Sequence, residues 1–314
     1  MLVGMSTRDS APGSGPTRTT SIEISGPYDL REVALMGFGH RDERSFDGVM
    51  RLAFCVDDSY QDQVGVEVRQ RGSTLELTVH DRPGAEADLT MVSRQVARVL
   101  SVDADGAVWQ RVVAADPVLR RLEGVAPGFR PALFYSPYEA AVWSIVSARR
   151  ARPQGIALRG RLSAAHGAAF ELAGVPTPAL PTPSTLLALE AFPGLPQDRV
   201  PRLHAVAEAT IRGRLDVARL RAMSPEEAKE DLQQLPGIGP FYSALVVVRA
   251  LGLTDVLSTE ESRSRAVIRE LYGLDHDPSD AELAEIAEAW RPFRTWATVM
   301  LRAVGSRPEV ADVA

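Results

Sequence analysis

Residues 235–240 read Leu-Pro-Gly-Ile-Gly-Pro, and this stretch, set between two segments with helical periodicity, decides the fold. Gly237 and Gly239, one residue apart, permit positive φ angles in a tight turn, and Ile238 between them can pack into the pair of helices. Pro240 favours the first turn of the second helix, where backbone N–H groups have no partner within the helix. Those N–H groups and the helix dipole predict a site for one phosphate of a nucleic-acid backbone.

A plainer interpretation of this stretch is a helix–turn–helix corner that happens to carry glycines. The full pattern favours a DNA-binding hairpin, because LPGIGP follows an amphipathic helix and precedes the small and apolar sequence FYSALVVVRA of residues 241–250. The hairpin alone does not specify an activity, since polymerases, ligases and junction-binding proteins also carry it.

Period-two alternation predicts an antiparallel sheet near the N-terminus. Residues 63–70 and 74–80 alternate on either side of the turn Arg71-Gly72-Ser73, and residues 21–24 and 50–56 predict two further strands. Residues 88–100 have the pattern of an amphipathic helix. We therefore predict a disordered tail over residues 1–19, rich in Ser, Thr, Pro and Gly, and an α+β domain over residues 20–99.

Helical periodicity replaces the strand pattern from about residue 100. The predicted all-helical core covers residues 100–307, with the hairpin at 225–251, and residues 308–314 form a second tail. Ser224 and Glu227 fit a capping box, and Thr182-Pro183 fits another helix start. The predicted helices lie near 105–124, 138–150, 154–166, 184–191, 200–212, 225–234, 240–251, 262–272, 280–289 and 293–304.

Composition limits the classes of function. The 314 residues are 45% apolar and hold one cysteine, Cys55, which excludes an internal disulfide, a multi-cysteine zinc site and a four-cysteine iron–sulfur cluster. No apolar run is long enough for a transmembrane helix, and a cytoplasmic, nucleoid-associated protein is expected. The net charge of −6 counts against nucleic-acid binding, although a local basic patch and backbone amides can bind phosphate in an acidic protein.

Three motifs in one order resemble the helix-hairpin-helix (HhH-GPD) DNA glycosylases, and in particular the 3-methyladenine DNA glycosylase II group. Residues 136–142 (SPYEAAV) are similar to the start of that family's first core helix, and the hairpin follows at 235–240. Residues 290–297 (WRPFRTWA) resemble the family's closing W-x-P-x-R-x-[YW]-A element. The resemblance covers roughly residues 21–305 and includes an N-terminal α+β domain.

The resemblance implies a catalytic carboxylate at a fixed distance after the hairpin. Counting from Gly239 without gaps, Glu260 and Glu261 match the family's two adjacent aspartates, and Glu261 matches the catalytic one. A carboxylate there stabilises the oxocarbenium-like sugar that forms as the N-glycosidic bond breaks. Glutamate departs from the family's aspartate by one methylene, and the alternative is that both glutamates cap the following helix.

The remaining site residues follow from the same resemblance. DNA phosphate is expected to be bound by Leu235, Gly237, Ile238 and Gly239, together with Arg263 and Arg265. The base pocket is expected to be lined by Phe241, Trp290 and Trp296. Arg149 is expected to fill the space that the flipped base leaves in the duplex. Each has a plainer alternative, namely a solvated or phosphate-contacting arginine or a core aromatic. Leu245 and Ser262 stand where the family tends to have aromatic residues, so fewer aromatic side chains are expected to line the predicted pocket.

The predicted protein is a monofunctional glycosylase that removes damaged, alkylated purines from double-stranded DNA in base-excision repair. Bifunctional relatives use a lysine where this chain has Phe241, and its one lysine is Lys229. We expect a monomer that needs no organic cofactor, and the five histidines have no metal-ligand spacing. The resemblance implies a monovalent cation held by the hairpin carbonyls. Two alternatives stay open: a DNA-binding paralogue of the same fold without catalysis, and a helical enzyme unrelated to DNA.

Overall fold

The computed structural model describes residues 16–39, 41, 45–257 and 262–311. Its N-terminal part is an antiparallel four-stranded sheet in the order β1-β4-β3-β2, as the alternation predicts. The strands are β1 (Thr17–Glu23), β2 (Met50–Cys55), β3 (Gln63–Arg71) and β4 (Thr74–Asp81), and the helices are α1 (Leu30–Leu35) and α2 (Leu89–Val99).

The sheet begins earlier than the sequence predicts. Thr17 pairs with His80, so residues 17–19, which were predicted to belong to the tail, form the first part of β1. Their Thr and Arg side chains suit an edge strand, and Arg18 reaches across to Asp81 at 2.7 Å. Tertiary pairing therefore orders a segment whose composition alone favoured disorder.

Two helical lobes follow, and each has its own apolar cluster. The first helical lobe comprises α5 (Pro137–Ser147), α6 (Arg152–His166), α7 (Pro183–Leu187), a 3-10 turn η1 (Gln197–Arg199), α8 (Val200–Ile211), α9 (Val217–Arg221), α10 (Pro225–Gln233) and α11 (Pro240–Ala250). The second helical lobe comprises α3 (Gly106–Ala115), α4 (Pro117–Val125), α12 (Ser262–Tyr272), α13 (Asp280–Glu288), α14 (Arg294–Val304) and α15 (Pro308–Ala311).

Most helix boundaries agree with the sequence patterns, and the exceptions have local causes. The single helix predicted over 105–124 is two helices, because Asp116 leaves helical geometry and its carboxylate accepts hydrogen bonds from the backbone N–H groups of Val118 and Leu119. Pro117 then occupies the first turn of α4. The capping box of Ser224 and Glu227 forms at the start of α10 as predicted.

The helical core is not all-helical, which corrects one part of the predicted fold. A hairpin of β5 (Ala169–Leu172) and β6 (Val175–Pro178) lies against the N-terminal sheet. Gly65 in β3 makes room for it, since a Cβ there would lie 2.7 Å from the Phe170 ring. The α+β domain packed on a mainly helical core is confirmed, with this hairpin at their junction. No helix within the described ranges is long and apolar enough to cross a membrane.

Candidate functional site

The hairpin of α10 and α11 has the geometry of a phosphate site. Gly237 adopts φ +91°, in the left-handed region that favours glycine, and Gly239 is the extended residue that precedes α11. The backbone N–H groups of Gly237, Gly239, Phe241 and Tyr242 make no hydrogen bond with any described residue. A Cβ added to Gly239 would meet no atom within 4 Å, so this side of the turn is open to a ligand.

Leu235 and Ile238 pack inside the hairpin instead of facing a ligand. Both side chains are buried in the apolar cluster of the first helical lobe, and the Ile238 N–H donates to the Leu235 carbonyl at 3.0 Å. They therefore fix the shape of the turn, whereas the N–H groups without a described partner belong to the neighbouring residues. Arg202 of α8 packs against Gly237 and carries a partly exposed guanidinium beside the turn, which the sequence patterns did not single out.

A groove lies where the two helical lobes meet, and we call it the α11–α14 groove. Phe241 lines it with a half-exposed ring, and Leu245 and Arg249 follow along α11. Its lining residues are Phe38, Phe241, Ala244, Leu245, Val248, Arg249, Val256, Ser264, Thr295, Thr298, Val299 and Arg302. The residues come from the segment after α1, from the second hairpin helix α11, from the segment between α11 and α12, and from α12 and α14, so distant parts of the chain build one groove.

Described residues on both sides of the segment with the predicted catalytic glutamate line this groove. Glu260 and Glu261 lie outside the described residues, as do Ser258 and Thr259. Val256, before that segment, and Ser264, after it, both line the groove. The groove is therefore lined by one residue on each side of the predicted catalytic position along the chain.

Arg294 and Thr295 hold the chain that leads into that segment. The Arg294 Nε donates to the Asp255 carboxylate at 2.6 Å, and its Nη2 donates to the Asp255 carbonyl at 2.8 Å. The Thr295 Oγ1 donates to the Val256 carbonyl at 3.0 Å and accepts from the Val256 N–H at 2.9 Å. Residues 254–256 are thus pinned to the start of α14, which gives a physical reason for the Arg-Thr pair in the quoted WRPFRTWA element.

Trp290 and Trp296 do not line the groove and are placed in the core of the second helical lobe. Trp290 is fully buried, and its Nε1 donates to the Asp116 carboxylate at 3.0 Å. Trp296 packs edge-on against Trp109 with ring centroids 5.7 Å apart. Burial of these large rings stabilises the lobe, so the core interpretation that stood as the alternative describes them better than a pocket role.

Phe38 is the aromatic groove residue that the sequence patterns missed. Phe38 follows α1 in the N-terminal part, and the whole first helical lobe before α11 separates the two in sequence, so no local pattern relates Phe38 to α11. Its ring packs edge-on against Phe134 at 4.9 Å between centroids, and the Arg249 guanidinium lies 3.5 Å over its centroid. Arg249 is itself buried and donates to the Ala132 carbonyl at 2.6 Å, so it is a groove residue and not an exposed phosphate contact.

The other predicted contacts lie apart from the groove. Arg265 donates to the Pro278 carbonyl and pairs with Asp280, contacts that attach α12 to α13 and take the guanidinium away from a phosphate role. The side chain of Arg263 lies outside the described residues. Among the described residues no group of three or more His, Cys, Asp or Glu side chains could hold a metal ion.

Arg149 follows α5 on a strained turn. It has φ +53°, it is exposed, and it makes no hydrogen bond with any described residue. The turn is clamped by Arg199, whose guanidinium donates to the carbonyls of Ile145 and Ala148, both at 2.7 Å. An exposed side chain on a turn held by hydrogen bonds is suited to insertion into a space in a partner. Arg149 lines neither the α11–α14 groove nor the surface formed by residues 233–239 of the hairpin.

Comparisons with known proteins give one relative and two structures of particular use. The chain is 27% identical over 216 residues to the probable bifunctional transcriptional activator/DNA repair enzyme AlkA of Mycobacterium tuberculosis. The aligned region covers 67% of this chain and 42% of that protein. The chain therefore spans less than half the length of this curated relative. No family model matches the chain.

The solved structures share the fold over nearly the whole chain. The 3-methyladenine DNA-glycosylase of Archaeoglobus fulgidus superposes with a TM-score of 0.72 at 21% identity, covering 91% of this chain and 98% of that one. The 8-oxoguanine glycosylase/lyase of Clostridium acetobutylicum, in complex with double-stranded DNA, gives a TM-score of 0.62 at 15% identity, covering 93% and 98%. At these sequence identities the likeness establishes the fold of this chain and not its reaction.

Proposed function

From the fold that this chain shares with helix-hairpin-helix DNA glycosylases, and from its resemblance to the 3-methyladenine DNA glycosylase II group, we propose that it hydrolyses the N-glycosidic bond of alkylated purines in double-stranded DNA. The observation that carries the proposal is the α11–α14 groove. It begins next to the open hairpin turn, it is lined by Phe241 and Phe38, and it is also lined by Val256 and Ser264, which lie on either side of the segment that contains Glu261.

Each part of the proposed site has one task. The free amides around Gly239 bind one phosphate at the start of α11, which fixes the position of the duplex. Arg149 fills the space that the extruded base leaves, since its guanidinium plane can stack on the neighbouring bases. The base enters the groove, where the exposed Phe241 ring attracts a cationic alkylated purine.

Glu261 acts in this proposal as the carboxylate that stabilises the sugar. Positive charge builds on the deoxyribose as the bond to the base lengthens, and a carboxylate nearby lowers the energy of that state. Water then adds to the sugar carbon and the base departs, which leaves an abasic site. No lysine stands where a Schiff base would need one, because that position is Phe241, so the sugar–phosphate backbone is left intact.

A monovalent cation at the hairpin remains part of the proposal. The Leu235 carbonyl already accepts from Ile238, whereas the Gly237 carbonyl accepts no hydrogen bond from a described residue. Carbonyl oxygens of the turn are suitable ligands for such a cation, and it would add positive charge beside the phosphate. The hairpin amides bind the phosphate in either case.

The deciding experiment measures base release from methylated duplex DNA by the wild-type protein and by Glu261→Gln. We expect free 3-methyladenine or 7-methylguanine from wild type, and a loss of at least about a hundredfold in rate for the variant, because the amide keeps the shape and removes the charge. Duplex binding should be unchanged in Glu261→Gln. Binding by both proteins without base release by either would instead establish the DNA-binding paralogue, and absence of binding would favour an enzyme unrelated to DNA.

A further inference from the structure

A second cleft lies between the N-terminal sheet and the first helical lobe, where Tyr135 lines it, while the neighbouring Phe134 packs on Phe38 of the α11–α14 groove. We call it the α6–β6 cleft. It has a volume of about 400 Å³, within the range of small-molecule sites. Three arginines line it, namely Arg41, Arg51 and Arg159, together with Tyr135, Ser163 and the Pro-Thr-Pro end of β6.

Two buried polar groups in this cleft have no partner. Arg41 is 5% exposed and Ser163 is fully buried, yet the Arg41 Nη1 and the Ser163 Oγ make no hydrogen bond with any described residue. The other terminal nitrogen of Arg41 donates to the Leu133 carbonyl, and the guanidinium lies 5.2 Å from the centroid of the Tyr135 ring. Buried donors are normally satisfied, so a guanidinium nitrogen and a hydroxyl left over in one cleft indicate an absent acceptor.

Among the described residues that line the cleft, three are arginines and none is a carboxylate. Arg159 pairs with the buried Glu139 at 2.8 Å, and Arg51 pairs with Asp47 at 2.6 Å. Arg41 forms no ion pair with a carboxylate in the described part of the chain, although its charge acts on the buried Glu139, whose Oε1 also makes no hydrogen bond with a described residue. Arg159 uses one nitrogen on Glu139, and its remaining N–H groups make no further hydrogen bond with a described residue. The cleft therefore offers unused donors and positive charge to an anion.

The walls of the cleft define the body of that anion. Ala53, Ile156 and the two prolines of β6 are apolar, and Tyr135 presents a ring beside Arg41. A phosphate of duplex DNA cannot reach donors that are more than nine-tenths buried while the rest of the duplex stays outside. We propose that the α6–β6 cleft binds a small organic oxyanion, a carboxylate or a phosphate monoester on a flat apolar body, through Arg41, Arg159 and Ser163.

Isothermal titration calorimetry on the full chain tests this site, with benzoate and phenyl phosphate as probes and benzamide as the neutral match. We expect at least one anion to bind with a dissociation constant of about 1 mM or lower and benzamide to bind at least tenfold more weakly. Stronger binding of phenyl phosphate identifies a phosphate ligand, and stronger binding of benzoate identifies a carboxylate. Arg41→Met should weaken the bound anion at least tenfold, whereas Arg120→Gln, an exposed arginine of α4, should not.

Ser163→Ala keeps the proposal testable if Arg41→Met does not fold. Removal of a buried hydroxyl that lacks a partner should leave the melting temperature unchanged or raise it, and should weaken the anion several-fold. The proposal is overturned if no probe binds, if benzamide binds as well as the anions, or if a duplex oligonucleotide displaces the bound probe. A lower melting temperature of Ser163→Ala with unchanged anion binding would also overturn it, because the hydroxyl would then have a structural partner.

Discussion

The two glycines of the hairpin turn are needed for different reasons, although the sequence presents them as a matched pair. Gly237 has a positive φ, and a Cβ there would also lie 3.0 Å from the Arg202 side chain. Gly239 has an ordinary extended backbone and open space around it. One glycine therefore serves the turn, and the other keeps clear the surface that we assign to a phosphate.

Alanine at each glycine should separate folding from DNA binding. Gly237→Ala should lower the free energy of unfolding by about 1–2 kcal/mol, because an L residue is strained at positive φ. Gly239→Ala should cost less than about 1 kcal/mol, yet its methyl group should weaken duplex binding about tenfold, which corresponds to about 1.4 kcal/mol. Urea unfolding and fluorescence anisotropy with a labelled duplex measure the two effects. Unchanged binding by Gly239→Ala would remove the hairpin from the DNA interface.

Residue types near the hairpin could be predicted from sequence, but the surroundings of single side chains could not. Phe241 was expected at the base pocket and lines the groove, since it directly follows the turn that fixes it. Trp290 and Trp296 were expected there too and lie in the core, because their burial depends on α3 and α4, far away in the chain. Phe38 could not be found, since only the packed fold brings it to Arg249.

At the scale of elements, the start of α14 serves as the anchor for the chain before the predicted catalytic glutamate. Arg294→Gln should release Asp255 and lower the rate of base release about a hundredfold, because a displacement near 1 Å at a reacting group has an effect of that order. Duplex affinity should change little, since the hairpin lies on the other lobe. Single-turnover base release and anisotropy check this, with Arg120→Gln as the control; equal losses of rate and affinity would contradict it.

The contact between α9 and α10 should depend on pH through Asp231. Hydrogen bonds from Arg219, together with Arg214, hold the pKa of Asp231 below its usual range. A carboxyl whose pKa is lowered by folding stabilises the fold above its unfolded pKa of about 4, and that contribution is lost as the pH falls through the folded pKa. The ion pairs are partly exposed, so the contribution at pH 7 should be about 1 kcal/mol or less.

Asp231→Asn should therefore be less stable than wild type at pH 7, and the difference should shrink as the pH falls below about 4. Urea unfolding at pH 7 and at pH 3 measures this. Asp275→Asn, at an exposed position outside any ion pair of the described residues, is the matched control. A difference that stays constant between the two pH values would mean that Asp231 acts through its shape and not through its charge.

Helices and strands that are bounded by capping or turn residues of their own were predicted well from the sequence. Strands that form only because they pack against a distant part of the chain were not. The capped helices and the β3–β4 hairpin have boundary residues that act locally, so their limits agree with the patterns to within a few residues. The β5–β6 hairpin has four-residue strands and two prolines, and it exists because Phe170 packs into the space above Gly65. The sequence of residues 169–178 alone could not predict this hairpin, because the space that it fills is set by Gly65 in a distant strand.

At the scale of the whole molecule, an acidic protein is proposed to bind a polyanion. With a net charge of −6, long-range attraction to DNA is weak or absent, and neutral amides at the hairpin supply part of the phosphate binding. Amides displace few counterions, so the logarithm of the duplex binding constant should fall against the logarithm of salt concentration with a slope of about −2 to −4. Anisotropy titrations over a salt series check this, and a slope steeper than about −6 would contradict it.

The α11–α14 groove also has a consequence for the order of events during synthesis. Its walls include Phe38, near one end of the chain, and Arg302, near the other. A nascent chain that has left the ribosome only as far as the hairpin can fold the sheet and the first helical lobe, and can present the turn that we assign to DNA binding, but it has no complete groove. Under the proposed function, duplex binding should thus become possible earlier in translation than base binding, and a protein cut short before α14 should keep the proposed DNA-binding turn but lack a complete groove.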